Sequence, residues 1–109
     1  MRIIDHTGVS ISVTNGNVSY SAPLLLDSCL VISADAAYKA AGSTGSIALQ
    51  WSNDNVNYYD LAATSTNIST DSVVGWAPNY WIGFKYLRIR LTSTSGAIRA
   101  VFSMVAKGG

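Results

Sequence analysis

The chain has 109 residues, 49% of them hydrophobic and only 12% charged, about half the quarter usual for soluble domains. Seven Lys or Arg stand against six Asp, no Glu occurs, and 23 Ser or Thr fill the positions that charges leave open. This balance excludes an intrinsically disordered chain, and a net charge of +1 gives no general reason to expect nucleic acid or anionic lipid as partner. No apolar window reaches the ~18 residues of a membrane helix, and Met1-Arg2-Ile3-Ile4-Asp5-His6 does not read as a signal peptide. The length predicts one domain over residues 1–109 with a core that needs no staple, and the single Cys29 has no partner for a disulfide. A near-neutral, sparsely charged and apolar surface suits a protein that meets partners or copies of itself.

Helix formers are scarce and β-branched and aromatic residues abound, so period-two alternation is the signal to follow. Val9, Ile11 and Val13 alternate with hydroxyls, and Asn15-Gly16 then predicts a tight turn into Asn17-Val18-Ser19-Tyr20-Ser21, a hairpin facing Val13 with Val18 and Ile11 with Tyr20. Pro23 ends that strand and Leu24-Leu25-Leu26 starts another. Between Cys29 and Ala40 one face collects Leu30, Ile32, Ala34, Ala36 and Tyr38; a helical turn competes over 34–41, and strand is favoured because the helix would last barely two turns. Residues 41–45 are loop by composition. Ser46 to Ser52 aims Ile47, Leu49 and Trp51 one way and Ala48 and Gln50 the other, Trp51 reading as core.

Asn53-Asp54-Asn55-Val56-Asn57 turns the chain, and Tyr58-Tyr59-Asp60-Leu61 pairs back. Weak strand character follows near Asn67-Ile68-Ser69, then a short apolar strand, Val73-Val74-Gly75-Trp76, broken by Ala77-Pro78-Asn79. Two long strands close the chain. Lys85 to Thr92 has Leu87, Ile89 and Leu91 inward and Tyr86, Arg88 and Arg90 outward; Ala97 to Ala106 collects Ile98, Ala100, Phe102 and Met104, with Ser93 to Gly96 as a hairpin loop between them. About eight strands at this spacing predict an all-β, antiparallel, jelly-roll-like sandwich.

The run from Ser46 to Leu61, with Leu49-Gln50-Trp51-Ser52-Asn53-Asp54-Asn55 and Tyr59-Asp60-Leu61 at its centre, resembles the strand-turn-strand of small β-sandwich modules in bacteriophage and related virion proteins. Those modules carry a serine-asparagine-aspartate-glycine turn; here Asn55 stands at the glycine, and Asn tolerates a left-handed backbone better than other side chains. Ser21-Ala22-Pro23-Leu24-Leu25-Leu26, the run Tyr86 to Gly96, and Ala106-Lys107-Gly108 extend the resemblance over about residues 20 to 108. A more distant likeness is to discoidin-like domains, which bind glycans or lipid head groups and commonly carry two cysteines where this chain has only Cys29. The first resemblance implies a non-enzymatic particle protein, a capsid decoration or head-fibre-like module that associates with itself and with virion proteins. Such a protein is made in the host cytoplasm and resides in the virion; a tail or baseplate component is the variant of this reading.

Catalytic chemistry finds little support. The only histidine, His6, lies near the amino terminus without a serine elbow, and Asp54, Asp60 and Asp71 lie in segments that suit Asx turns. The oxygens of residues 53–60 invite calcium, but the spacing lacks a central glycine and a bidentate Glu, and Cys29 with His6 is too little for zinc, so no metal or cofactor is expected. Two features remain. Residues 85–109 hold Lys85, Arg88, Arg90, Arg99 and Lys107 and no acid, and Arg88, Arg90 and Arg99, on two strands of one hairpin, form either internal ion pairs or a contact surface. Trp76, Tyr80 and Trp81 flank the proline-broken loop as an interface anchor, a plug for the sandwich end, or the stacking platform of a carbohydrate-binding attachment module.

Overall fold

A computed structural model describes residues 2–26, 29, 31–40, 42–77 and 83–108. Tyr80 and Trp81 of the aromatic loop, and Leu30 of the third apolar run, lie outside the described residues. Within them the chain forms β1 (Arg2–Val13), β2 (Val18–Tyr20), β3 (Leu24–Leu25), β4 (Val31–Lys39), β5 (Thr44–Ser52), β6 (Tyr59–Asp60), β7 (Thr66–Ile68), β8 (Ser72–Trp76), β9 (Tyr86–Ser95) and β10 (Ile98–Gly108). One sheet has the order β1-β10-β4-β8; the other has β2-β9-β5-β6, with β3 also paired to β9 and β7 to β5. Because β2 and β3 lie end to end along β9, and β6 and β7 along β5, each sheet is four strands wide. All pairs are antiparallel and the chain passes repeatedly from one sheet to the other, which is the jelly-roll arrangement the strand count predicted.

Alternation places the core. On β4, Ile32, Ala34, Ala36 and Tyr38 are buried while Val31, Ser33, Asp35, Ala37 and Lys39 are exposed, so strand and not helix forms there. Leu87, Ile89 and Leu91 of β9 and Ile98, Ala100, Phe102 and Met104 of β10 are buried as expected and belong to one continuous cluster. Burial of these apolar side chains is the main favourable term available to so short a chain.

The return of β6 along β5 through the 53–57 turn forms as expected, whereas the other two expected hairpins are corrected. β1 pairs with β10 and β2 with β9, so the Asn15-Gly16 turn joins two sheets. Asn17 N–H donates to Thr14 O at 3.0 Å, closing a turn, but only Gly16, at φ +77°, is left-handed. A tight hairpin of the expected kind needs two left-handed residues; with one, the flanking strands splay and cross to opposite layers. Val18 and Tyr20 therefore point outward, and Ser21 turns in to accept the Ile89 N–H on its Oγ at 2.8 Å. Likewise β9 and β10, although joined by a short loop, lie in different sheets. The two crossings brace each other: Gly16 N–H donates to Ser93 O at 3.1 Å, and Ser93 N–H to Asn17 O at 3.0 Å.

β1 also starts seven residues earlier than the alternation suggests, and His6 is held in it opposite Met104. Between His6 and Val9 the strand carries one extra residue against β10, and Gly8 there has φ +66°. This bulge moves the inward parity from Ile4 and His6 to Val9, Ile11 and Val13, which hides the strand from a period-two reading.

Gly45 is where the sheets leave no room. A Cβ built on it falls 2.0 Å from Thr92 O and 2.7 Å from the Ile98 Cδ1. Gly45→Ala is expected to destabilise the fold by about 2–3 kcal/mol in denaturant unfolding, whereas Gly16→Ala, with open space but a left-handed backbone, costs about 1 kcal/mol.

Candidate functional site

The outer face of the six-stranded sheet carries a built polar cluster. Arg88 on β9 lies opposite Gln50 on β5, and Gln50 lies opposite Asp60 on β6, so strand parity sets all three in one row. Arg88 Nε donates to Gln50 Oε1 at 2.9 Å, and Gln50 Nε2 donates to Asp60 Oδ1 at 2.9 Å. A guanidinium only donates and a carboxylate only accepts, so this relay fixes the orientation of the amide. Arg90 Nη1 lies 2.8 Å from both carboxylate oxygens of Asp60. Its Nε is buried and finds no partner among the described residues.

Two tyrosines clamp Arg88. Its guanidinium carbon is 3.9 Å from the centroid of the Tyr20 ring and 3.7 Å from that of Tyr58. Tyr20 reaches it from β2, which the outward turn after Gly16 makes possible, and Tyr58 from the residue before β6. Tyr58 in turn donates its hydroxyl proton to Asn55 Oδ1. Asn55 has φ 60°, the left-handed conformation expected at this position of the turn. Each ring–cation contact contributes roughly 0.5–1 kcal/mol at an exposed site. Their joint effect is to fix a long, flexible side chain in one orientation with neutral neighbours.

The turn itself is tied by Ser52 and Asp54. Ser52 Oγ donates to Asp54 Oδ1 at 3.0 Å and accepts the N–H groups of Asp54 and Asn55; Asp54 Oδ1 also accepts those of Val56 and Asn57. The Asn57 N–H foremost, then that of Val56 and the side chains of Asn57 and Ser52, hold the Asp54 carboxyl well below the usual carboxylate range. Asp60 is also lowered, chiefly by the hydrogen bond from Gln50, with Arg90 adding to it against the opposing effect of desolvation. Burial raises the Tyr58 phenol despite the nearby Arg88 charge. Asp54 makes the expected Asx turn. Asp60 instead sits on a strand as an ion-pair partner, and Asp71 accepts from the distant Ala40 N–H at 2.8 Å.

Of the arginines singled out in the sequence, Arg88 and Arg90 share this face, while Arg99 does not. It lies on β10 between Ser12 and Lys39, on the outer face of the other sheet, because β9 and β10 face each other across the core. There it borders a groove of about 440 Å³ floored by Ala37, Val73 and Val101. Trp76 is corrected as an exposed platform: it is opposite Ala34 and only 9% exposed, so it serves the core. Trp51 is half-buried at the end of β5, its ring centroid 5.1 Å from that of Tyr59 and 5.6 Å from that of Phe84. Tyr20, Gln50 and Tyr58 were missed as site residues. The alternation of Ser19 and Ser21 against Val18 and Tyr20 carries the signal, but in the hairpin expected from Asn15-Gly16 it points Tyr20 to the opposite face.

No protein-family model and no curated protein matches the sequence. Solved structures match in shape. XepA, the exported protein of PBSX, superposes with a TM-score of 0.68 at 11% identity over 97% of this chain and 37% of its own. VP2 of infectious bursal disease virus, in a subviral particle, superposes with a TM-score of 0.64 at 14% identity over 99% of this chain and 33% of its own. YomS, an SPBc2 prophage-derived protein, gives 0.56 at 9% identity over 98% and 96%. The chain thus spans about a third of XepA and VP2 and nearly all of YomS. At these identities the likeness establishes the fold.

The lowered pKa of Asp60 has a stability consequence. Its contribution is complete above the ordinary carboxylate value and is lost as pH falls through its lower folded value. Thermal unfolding followed from pH 6 to pH 2 should show a loss of stability beginning below about pH 4. In Asp60→Asn the same scan should show a smaller acid-induced loss from a lower starting stability.

Proposed function

We propose that this chain is a non-enzymatic structural module of a bacteriophage or similar viral particle, a decoration or head-fibre-like protein that docks through an exposed sheet face and associates with further copies. The observation that carries this reading is the jelly-roll strand order, which over nearly the full chain matches VP2 from a subviral particle and the prophage-derived YomS. The fold hosts many tasks, so the particle role also draws on the character of the surface. Tyr20 is 50% and Leu25 51% exposed beside the clamped Arg88, a combination of aromatic, aliphatic and arginine side chains typical of interface anchors.

Arg88 is the centre of that patch. Asp60 is already engaged by Arg90, and Asp54 by its own turn, so Arg88 is held by neutral groups alone among the described residues. A cation fixed in this way suits an acidic side chain on a neighbouring subunit, and symmetry on a particle multiplies a weak contact. Gold-labelled antibody against the chain, imaged on particles from the organism that encodes it, should decorate the shell. Arg88→Met should lower its occupancy about tenfold while leaving the fold intact by circular dichroism. Absence of the chain from purified particles by mass spectrometry would refute the proposal, and labelling confined to the tail would move it there.

A further inference from the structure

The loop that positions Tyr58 toward Arg88 also shapes a cleft on its other side. This cleft has a volume of about 380 Å³ and is lined by Trp51, Asn53, Asp54, Asn57 and Tyr59. Trp51 and Tyr59 are direct partners across the β5–β6 ladder and have the opposite parity to Gln50 and Asp60, so they face away from the arginine row. Ile47 and Leu49, on the same face of β5, are fully buried, but burial falls off along the strand: Trp51 is half-buried and Tyr59 is 54% exposed. The two rings stand 5.1 Å apart with planes tilted by 41°, making an apolar wall.

Polar groups face this wall. Asp54 Oδ2 accepts a single hydrogen bond, from Asn57 Nδ2 at 2.9 Å, which leaves it further acceptor capacity. The Asn53 side-chain amide and Asn57 Oδ1 have no partner among the described residues. The Ser52–Asp54 network fixes the loop backbone that carries all three, so their arrangement is set before any ligand arrives. Stability of the turn accounts for Ser52 and for Asp54 Oδ1. It does not account for a large exposed tyrosine ring beside an asparagine that has no partner among the described residues, in a concave site.

A pyranose ring has the matching surface: an apolar C–H face that stacks on an aromatic side chain and a rim of hydroxyls that both donate and accept. The ionised Asp54 accepts from hydroxyls and repels an acidic sugar. We infer that the cleft between Trp51, Tyr59 and the 53–57 loop binds a neutral saccharide, with Tyr59 as the stacking wall and Asn53, Asp54 and Asn57 as partners of its hydroxyls. This site does not depend on the particle role proposed above.

Saturation-transfer NMR against a panel of neutral and acidic oligosaccharides, followed by calorimetry on the hits, tests it. At least one neutral oligosaccharide should bind saturably, and Tyr59→Ala should weaken it about tenfold, the scale of one aromatic contact. Should Tyr59→Ala fail to fold, Asn53→Ala, at an exposed position without a partner among the described residues, should still weaken binding about threefold. Arg88→Met should leave the affinity unchanged, so sugar binding and particle docking are lost by different substitutions. The inference is overturned if no neutral sugar binds, if affinity survives both Tyr59→Ala and Asn53→Ala in folded protein, or if binding favours acidic sugars through Arg88.

Discussion

The packing of β9 against β10 across the core is the constraint on which the rest of the molecule depends. The two strands follow each other closely in the chain, yet they lie in opposite sheets and contribute their inward side chains to one core cluster. Leu87, Ile89 and Leu91 from one and Ile98, Phe102 and Met104 from the other are essentially inaccessible to water. Pairing them edge to edge would have placed both apolar rows on one sheet and left that sheet without a cover. Placing them in opposite layers lets each row cover the other, and each strand then becomes a central strand that recruits neighbours on both sides.

This arrangement explains how so few charges are distributed. With the inward parity of β9 given to Leu87, Ile89 and Leu91, the alternate residues Tyr86, Arg88 and Arg90 are on the outside, and the β5 partners beneath them become Ser52, Gln50 and Ala48. Ala48 and Gln50 are buried although they lie on the outer face, because the arginines and tyrosines lie over them. The low charge density is therefore local in its effect. The Arg90–Asp60 pair is partly exposed and contributes little to stability by itself, but it occupies the carboxylate that would otherwise neutralise Arg88.

One short loop organises both candidate surfaces. Ser52 and Asp54 tie residues 52–57 into a compact turn, and the chain then enters β6 through two consecutive tyrosines. Strand geometry sends neighbours to opposite faces, so Tyr58 closes the clamp on Arg88 while Tyr59 walls the cleft with Trp51. A change in the turn would disturb both surfaces together. Changes to either tyrosine separate them.

Side-chain parity was readable in the sequence because it is a local property. Alternation along β4, β5, β9 and β10, the left-handed Asn55, the Ser-Asn-Asp turn and the all-β class follow from period two and from the few residues that tolerate unusual backbone angles. The bulge at Gly8 escaped for the same reason, since one inserted residue resets the period. Sheet partners were decided by tertiary structure. Asn15-Gly16 and Ser93 to Gly96 look like hairpin turns in isolation, but covering two apolar faces gains more than closing a local ladder, so both connections cross between layers. That choice removed Arg99 from the company of Arg88 and turned Tyr20 outward to clamp it. Along β4, β5, β9 and β10 local patterning determined which residues face the core, whereas the burial of one sheet against the other determined how β2 faces and which outward residues meet.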